Sequence, residues 1–339
     1  MNVSPSTFVI AEAGVNHNGS LGMAIELVDA AKQCGADAVK FQTFKADRLV
    51  TRNAAKAAYQ HQAVPGSNSQ YAMLKALELT DDDFQYLHSH CWDIGIEFLS
   101  SPFDASSAVF LNELGMRLFK VPSGEITNLP LLKCIGGFGK PVILSTGMCY
   151  LAEIEVALNL LKEAGAGDIT ILHCVTQYPA PYQEINLLAM NTLASAFGVS
   201  VGYSDHTAGI EIPIAAVAMG ATVIEKHFTL DTTLSGPDHA ASLAPGDFRQ
   251  MVQAIRHVES ARGDGRKCPA PCERLNLDVV RKSIAAERPI AEGEVITLEH
   301  LALKRPGSGL APSQLEMVVG RRTSRSIAAD ELLGWGDLV

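Results

Sequence analysis

Charged side chains interrupt several apolar segments of this 339-residue chain. They are Glu12, Lys40, Lys120, Glu125, Glu225 and Lys226. Burying an unpaired charge costs several kcal/mol by rough estimate, so an apolar segment keeps one only when it has a partner or a task. Some of these residues could pair with one another. So many charges at one rim of a fold nevertheless favour a functional site.

Two histidines, His206 and His227, each stand at the end of an apolar segment. If these segments are neighbouring strands, their backbones lie roughly 5 Å apart and both imidazoles can reach one metal ion at ~2.1 Å. Two histidines without a thiolate suit an open divalent ion that keeps positions for water and a substrate oxygen. Asp238 and His239 could add a ligand or a substrate contact. The alternative is a pair of structural histidines in the core.

A second group of residues could hold a phosphate. Lys120 with Ser123, Ser145 and Ser204 supplies one cation and several hydroxyl donors on neighbouring segments. A lysine that forms a Schiff base is the alternative role for Lys120. The pattern of residues alone does not separate the two.

Eight strand–helix repeats would position these residues, because short runs of Val, Ile and Phe alternate with segments of helical period. The predicted strands are 8–13, 38–42, 97–101, 118–122, 141–146, 169–175, 199–204 and 222–227. The predicted helices are 20–34, 81–94, 105–114, 129–138, 151–164, 187–197, 209–219 and 245–262. Eight such units predict an α/β fold of the (β/α)8 TIM-barrel type, with its chemistry at the carboxyl ends of the strands. No G-x-G-x-x-G motif follows the first strand, which disfavours an open doubly wound sheet.

The connection between Thr43 and Leu79 is unusually long for such a barrel. A connection of this length at the carboxyl end of a strand is typical of a lid or a binding insert. The alternative is one or two extra helices, at Ala54–Gln62 and Gln70–Leu77, that plug one side of the barrel. Both interpretations can hold together.

The chain changes character after the eighth helix, so we predict a barrel domain over residues 1–263 and a linker over 264–280. Cys268 and Cys272 lie in this linker, but they lack a second pair of metal ligands. Residues 281–339 predict a compact, mostly β module with short strands at 283–286, 295–296 and 301–304. A module of this size is expected to lean on the barrel or on a partner for stability.

Composition disfavours several classes of function. The chain has 27 Lys and Arg against 37 Asp and Glu, a formal charge of −10, so we expect no binding to nucleic acid or to a membrane. Met1–Glu12 holds no Lys or Arg and shows no signal peptide. Seven scattered cysteines are typical of buried thiols in a reducing compartment, which predicts a cytoplasmic protein.

In its site motifs the chain resembles the sialic acid synthase family, the phosphoenolpyruvate-dependent nonulosonic acid synthases. The matching stretches are 10–19, 39–42, 120–125, 145–148, 202–207, 225–229, 236–239 and 304–307. The resemblance covers nearly the whole chain, including a C-terminal segment similar to the antifreeze-like (SAF, β-clip) domain. It implies a (β/α)8 barrel followed by that small domain.

The resemblance also implies a transferase that condenses phosphoenolpyruvate with an open-chain N-acylated mannosamine-type sugar. The products are a nine-carbon nonulosonic acid and phosphate, released by cleavage of the C–O bond. Our first expectation is N-acetylneuraminate synthase, with N,N'-diacetyllegionaminate or pseudaminate synthase as the alternative. The alternative is raised by Thr176 and Gln177, which depart from the sialic acid pattern, and by residues 180–187, which look closer to legionaminic acid synthases.

The resemblance also implies roles for the residues that match the motifs of the family. It implies that His206 and His227 hold a divalent ion, Mn²⁺ in the first place with Mg²⁺ or Co²⁺ as alternatives, that polarises the aldehyde oxygen. Phosphate would be held by Lys120, Ser123, Ser145, Thr176 and Ser204. The carboxylate or the sugar would be positioned by Lys40, Gln42, Glu125, Tyr178 and Asp238. Glu12 is the candidate for proton transfer, with a purely orienting role as the alternative.

The resemblance further implies a domain-swapped homodimer, in which the C-terminal module covers the site of the neighbouring subunit. Arg305 would then reach the acyl group of the sugar, whereas a solvated surface arginine is the alternative. Two other enzyme classes stay open, a metal-dependent barrel hydrolase and an aldolase that uses Lys120. The first commonly needs His-x-His on strand 1, where this chain has Glu12. A non-catalytic saccharide-binding protein is a third possibility.

Overall fold

The computed structural model describes residues 6–56 and 69–339. The chain forms two compact units, divided between Gly263 and Asp264. Among the described helices, none combines the length and the apolar character that a membrane span requires.

Eight parallel strands form the centre of the first unit. They are β1 Phe8–Gly14, β2 Ala38–Thr43, β3 Glu97–Pro102, β4 Phe119–Val121, β5 Val142–Ser145, β6 Ile169–Cys174, β7 Ser200–Asp205 and β8 Val223–His227. The ladder runs β3-β2-β1-β8-β7-β6-β5-β4, so that strands 3 and 4 flank the one seam of a nearly closed barrel. The predicted (β/α)8 fold is therefore confirmed, and each observed strand or barrel helix begins and ends within two residues of its predicted limits.

Helices follow the strands as predicted. They are α1 Leu21–Gln33, α2 Ala46–Leu49, α3 Gln70–Leu77, α4 Asp81–Ile94, α5 Ala105–Glu113, α6 Leu129–Gly136, α7 Leu151–Ala164, α8 Ala189–Phe197, α9 Glu211–Ala218 and α10 Pro245–Ala261. Local chemistry sets their ends: Thr80 and Asp83 form a reciprocal capping box at the start of α4, and Gly95 ends it with a φ of 72°. An L-residue with a side chain rarely adopts that conformation.

Side chains alternate between the two faces of each barrel strand. Outward-facing residues such as Val9, Ala11 and Phe41 pack with the helices in the large core of the unit. Inward-facing residues near the amino ends of the strands form a second, apolar cluster inside the barrel: Ile10, Ala38, Leu99, Ile143, Leu172 and Val223. This apolar floor closes the bottom of the barrel.

The long connection after β2 contains helices α2 and α3, and α3 covers the limits we predicted. The other predicted helix, Ala54–Gln62, falls largely on residues 57–62, which lie outside the described residues. Its first part is not helical, because Ala55 forms an isolated antiparallel bridge with Ser69.

The second unit contains an antiparallel pair, β9 Ser283–Ala286 and β10 Leu301–Lys304, and the helices α11 Arg274–Val280 and α12 Leu315–Val318. Its own core gathers Ile284, Ile290, Ile296, Val318 and Leu333 among others. The predicted linker 264–280 contains α11 at its end. One expectation was wrong here. The strand predicted at 295–296 is reduced to one bridge, from Val295 to Arg322.

A substitution at Gly202 tests how tightly the barrel is packed around β7, the strand that contains Ser204. A Cβ at this position would lie 2.4 Å from the carbonyl oxygen of Val223 and 2.7 Å from Leu172 Cδ2. We expect Gly202→Ala to lower the free energy of unfolding by about 1–3 kcal/mol, because overpacking must displace backbone. Urea denaturation measures this. Gly246→Ala is the matched control, because nothing lies within 4 Å of its added Cβ; equal stability of the two variants would contradict the prediction.

Candidate active site

A cavity opens at the carboxyl ends of the barrel strands, where the (β/α)8 fold places its chemistry. It brings together all of the predicted site residues except Glu125 and Arg305. Those that line it are Glu12, Lys40, Gln42, Lys120, Ser123, Ser145, Thr176, Tyr178, Ser204, His206, His227 and Asp238. Glu225, Ser101 and Cys174 also line the cavity and were not among the predicted site residues.

Strand alternation explains why these side chains meet. Two residues after each member of the apolar floor, the next inward-facing position carries a polar side chain or, after Leu172, the thiol of Cys174. Ile10 is thus followed by Glu12, Ala38 by Lys40 and Val223 by Glu225. The polar layer therefore lies directly on the apolar floor.

Two cations and two carboxylates make up the centre of this layer. Lys40 Nζ lies 2.6 Å from Glu12 Oε2 and 3.8 Å from Glu225 Oε2. Lys120 Nζ lies 3.3 Å from Glu225 Oε1, which also accepts a hydrogen bond of 2.9 Å from Ser204 Oγ. All four charged side chains are buried. From the sequence we identified Glu225 as a charged residue in an apolar segment, but we assigned it no role in the site.

The two carboxyl groups have opposite pKa shifts. Burial raises the pKa of Glu12 to about 7, although Lys40 opposes the shift. Burial also acts on Glu225, but Lys120 and Lys40 outweigh it and lower the pKa of that carboxyl to about 2. Glu225 is therefore an anion at neutral pH, whereas Glu12 can hold or release a proton. Two carboxyl groups separated in this way are typical of a site that moves protons.

The hydroxyl groups of the predicted phosphate cradle lie in or just after the last residues of β4, β5, β6 and β7. Ser145 Oγ is buried and has no hydrogen-bond partner in the part of the chain that the structure describes. Ser123 Oγ accepts a hydrogen bond of 2.8 Å from the backbone N–H of Gly147. A Cβ on Gly147 would lie 2.3 Å from Thr176 Oγ1, so only glycine lets these hydroxyls converge. Burial lowers the pKa of the Lys120 ammonium beside them.

His206 and His227 lie side by side, with ring centroids 5.4 Å apart. His206 Nδ1 is 2.6 Å from the carbonyl oxygen of Val175, so Nδ1 carries the proton and Nε2 keeps its lone pair. His227 Nδ1 is buried without a hydrogen-bond partner among the described residues, and it lies 4.0 Å from Asp238 Oδ2. Burial lowers the pKa of both imidazoles, so that they are neutral, as metal binding requires.

The two imidazoles fit a divalent ion held by few protein ligands. Within residues 6–56 and 69–339, no cluster of three or more His, Cys, Asp or Glu residues could hold a metal. An ion at the two imidazoles would therefore keep positions for water or substrate. The metal itself stays a prediction.

Glu125 and Lys226, which we had assigned to the rim, lie outside this cavity, and Arg305 was expected to act from the second unit. Glu125 belongs to the turn after β4, where its Oε2 accepts a hydrogen bond of 2.6 Å from Asn128 Nδ2. Arg305 belongs to the second unit, and its Nε donates to the carbonyl of Val280. Lys226 faces away from the cavity because the adjacent Glu225 faces into it. Its Nζ lies 2.5 Å from Asp205 Oδ2, and both side chains are fully buried.

Two family models match this chain, one almost entirely within its first unit and the other within its second. The NeuB family model matches residues 27–267, and the SAF domain model matches residues 281–339. The chain is 50% identical over 336 residues to the N,N'-diacetyllegionaminic acid synthase of Legionella pneumophila, covering 98% of this chain and 94% of that protein. It is 34% identical over 329 residues to the human N-acetylneuraminate-9-phosphate synthase, covering 96% and 91%. A crystal structure of an N-acetylneuraminic acid synthetase from Leptospira borgpetersenii, in complex with citrate, superposes with a TM-score of 0.72 at 34% identity, covering 80% and 90%.

The buried pair of Lys226 and Asp205 joins the ends of β8 and β7, one residue before each imidazole. We expect Lys226→Met to lower the free energy of unfolding of the barrel by about 3–5 kcal/mol, because it leaves a buried carboxylate without its cation. Urea denaturation measures the loss. The double variant Lys226→Met with Asp205→Asn should recover part of it, since the unpaired charge is gone. A loss in the single variant below about 1 kcal/mol would show that the pair is not strongly coupled.

Proposed function

Since the chain belongs to the NeuB family, whose members here are phosphoenolpyruvate-dependent nonulosonic acid synthases, we propose that it makes N,N'-diacetyllegionaminic acid. The second substrate would be a 2,4-diacetamido-6-deoxy sugar of the mannose type. Our first expectation, N-acetylneuraminate, is the less well supported product. The chain is 50% identical to a legionaminic acid synthase but 34% identical to the human neuraminate-phosphate synthase.

The lining of the cavity is the main support for a reaction that uses phosphoenolpyruvate. A lysine with four hydroxyl side chains, a second lysine and two neutral imidazoles all line one buried cavity. Phosphoenolpyruvate brings a phosphate and a carboxylate, and these groups match the two lysines, Lys120 and Lys40. The carboxyl group of Glu12, with a pKa of about 7, supplies a proton acceptor or donor beside them.

The condensation forms one C–C bond, and at carbon 2 a C–O bond to water replaces the C–O bond to phosphate. Carbon 3 of phosphoenolpyruvate attacks the aldehyde carbon, and the aldehyde oxygen takes up a proton to become a hydroxyl. Water adds at carbon 2 and loses a proton, after which the tetrahedral intermediate releases phosphate. In this scheme Lys120 and the hydroxyls of the cradle hold the leaving phosphate, Lys40 holds the carboxylate, and Glu12 accepts or returns the proton. Gln42, Tyr178 and Asp238 orient the sugar.

His206 and His227 would hold the divalent ion, for which Mn²⁺ is our first candidate. When bound, the ion supplies a Lewis acid for the aldehyde oxygen. The unpartnered Nδ1 of His227 and the fixed tautomer of His206 support this assignment. The pair by itself contributes two nitrogen ligands and leaves the other positions to water and substrate.

We further propose that the chain acts in the cytoplasm as a domain-swapped homodimer, in which the second unit of one chain covers the barrel of its partner. The small core of that unit supports the idea, because so small a module gains stability from a neighbour. Arg305 is exposed on this unit and is the residue that we expect to contact the acyl group of the sugar.

Phosphate release from phosphoenolpyruvate tests the function directly. We expect release that requires both an acylated sugar and a divalent ion, that stops with EDTA, and that is fastest with the 2,4-diacetamido-6-deoxy sugar. N-acetylmannosamine and the pseudaminic acid precursor are the comparison substrates. The lowered pKa of Lys120 would also suit an aldolase, which borohydride would trap at this lysine and which EDTA would not stop. No release with any of the three sugars would refute the synthase.

Arg305→Ala tests the proposed dimer. We expect the KM of the sugar to rise about tenfold or more, because a charge-assisted hydrogen bond to the acyl group is lost. The KM of phosphoenolpyruvate should change much less. Steady-state kinetics with each substrate varied in turn measures both constants, with Arg322→Ala, another exposed arginine of the same unit, as the control. If both constants rise together, or neither does, the trans-covering role of Arg305 is wrong.

A further inference from the structure

One part of the lining of the active-site cavity is an apolar cluster. Five apolar side chains form it and pack on one another, and we refer to them as the apolar wall: Val15, Met73, Leu74, Leu77 and Phe103. The reaction proposed above uses none of them. The rest of the cavity lining is mostly polar or charged. Without a ligand that has an apolar part, water would lie against these apolar side chains, which is unfavourable.

Helix α3 supplies most of this wall. Ser69 caps the helix, since its hydroxyl accepts the N–H of Ala72. Met73 and Leu77 are buried and Leu74 is half-buried, whereas Ala72 and Ala76 are exposed. One face of the helix thus meets the cavity and the other meets solvent. Phe44, which follows β2, packs behind the wall and fixes the helix against the barrel.

The wall lies on the side of the barrel away from the phosphate cradle. Its members outside α3, Val15 and Phe103, directly follow β1 and β3, whereas the cradle lies at the carboxyl ends of β4 to β7. Gln42 and Asp238 belong to the same side as the wall, because both approach Gly14: a Cβ there would lie 3.3 Å from Gln42 Nε2 and 3.5 Å from Asp238 Oδ2. A sugar whose aldehyde carbon meets phosphoenolpyruvate at the centre would therefore extend toward the wall.

We propose that the apolar wall selects an acceptor sugar whose far end is a methyl group at C6 instead of a hydroxymethyl group. The inference rests on the proposed function, and it assigns the discrimination to Met73, Leu74 and Leu77. A C6 hydroxyl placed against these side chains would lose its hydrogen bonds to water and find no replacement. A methyl group would bury apolar surface there and lose nothing.

Two acceptors that differ in one atom test the proposal. They are 2,4-diacetamido-2,4,6-trideoxymannose and its 6-hydroxy analogue, and the ratio of their kcat/KM values is the readout. We expect the wild-type enzyme to favour the 6-deoxy sugar about tenfold to a hundredfold, the range typical of pockets that reject an added hydroxyl. In Leu74→Asn, which places an amide beside C6, the ratio should fall about tenfold while the KM of phosphoenolpyruvate stays within about twofold.

Ala72→Asn is the matched control, because it adds the same amide to the solvent face of the same helix. It should keep the wild-type ratio. Met73→Gln, which closely preserves the shape of the side chain, repeats the test if Leu74→Asn does not fold. A wild-type enzyme without preference at C6, or an unchanged ratio in a folded and active wall variant, would overturn the proposal. Absence of turnover by the wild-type enzyme with every sugar would instead refute the proposed function itself.

Discussion

The balance of four buried charges governs the whole site. Lys40 and Lys120 face Glu12 and Glu225 inside the barrel, where neither sign could remain alone without a penalty of several kcal/mol by rough estimate. The balance changes when a substrate with a phosphate and a carboxylate enters. Glu225 is held as an anion by both lysines, so the added negative charge acts first on Glu12. That carboxyl has a pKa of about 7, so taking up a proton costs it little near neutral pH. Glu12, to which we assign proton transfer, is thus also the residue that can lose its negative charge when the substrate binds.

The sequence predicted the barrel well because two periodicities determine it. Strand alternation fixed which residues face inward, and the change to a helical period marked each helix. The same alternation corrects one of our own assignments. Glu225 and Lys226 are adjacent in one strand, so only one of them can face the cavity, and the structure selects Glu225. Had the rule been applied residue by residue, it would have removed Lys226 from the rim and added Glu225 to the site.

Other parts of the site could not be predicted by periodicity. Glu125 follows the end of β4, in a turn where no repeat relates a residue to a face. The thiol of Cys174, 3.2 Å from Ser123 Oγ, resembles any buried cysteine in sequence. The sequence pointed to the long connection after β2 as a lid or a binding insert, but it did not identify the residues of the apolar wall, since Met and Leu at helical spacing predict only a core contact. The sequence marks a charged site residue by the cost of burying it, but it leaves an apolar site residue unmarked.

This asymmetry separates the chemistry of the site from its choice of sugar. In the proposed reaction, the charged layer and the imidazoles act on the phosphate, the carboxylate and the aldehyde, groups that every nonulosonic acid synthase must handle. They cannot tell a methyl group from a hydroxymethyl group at the far end of the sugar. That distinction requires side chains that touch C6, and in our proposal they are the cavity-lining residues of α3, in the long connection after β2. Since such a connection lies outside the strands, it can change without disturbing the charge balance beneath it. A common barrel can therefore keep one reaction and change its sugar through the wall alone.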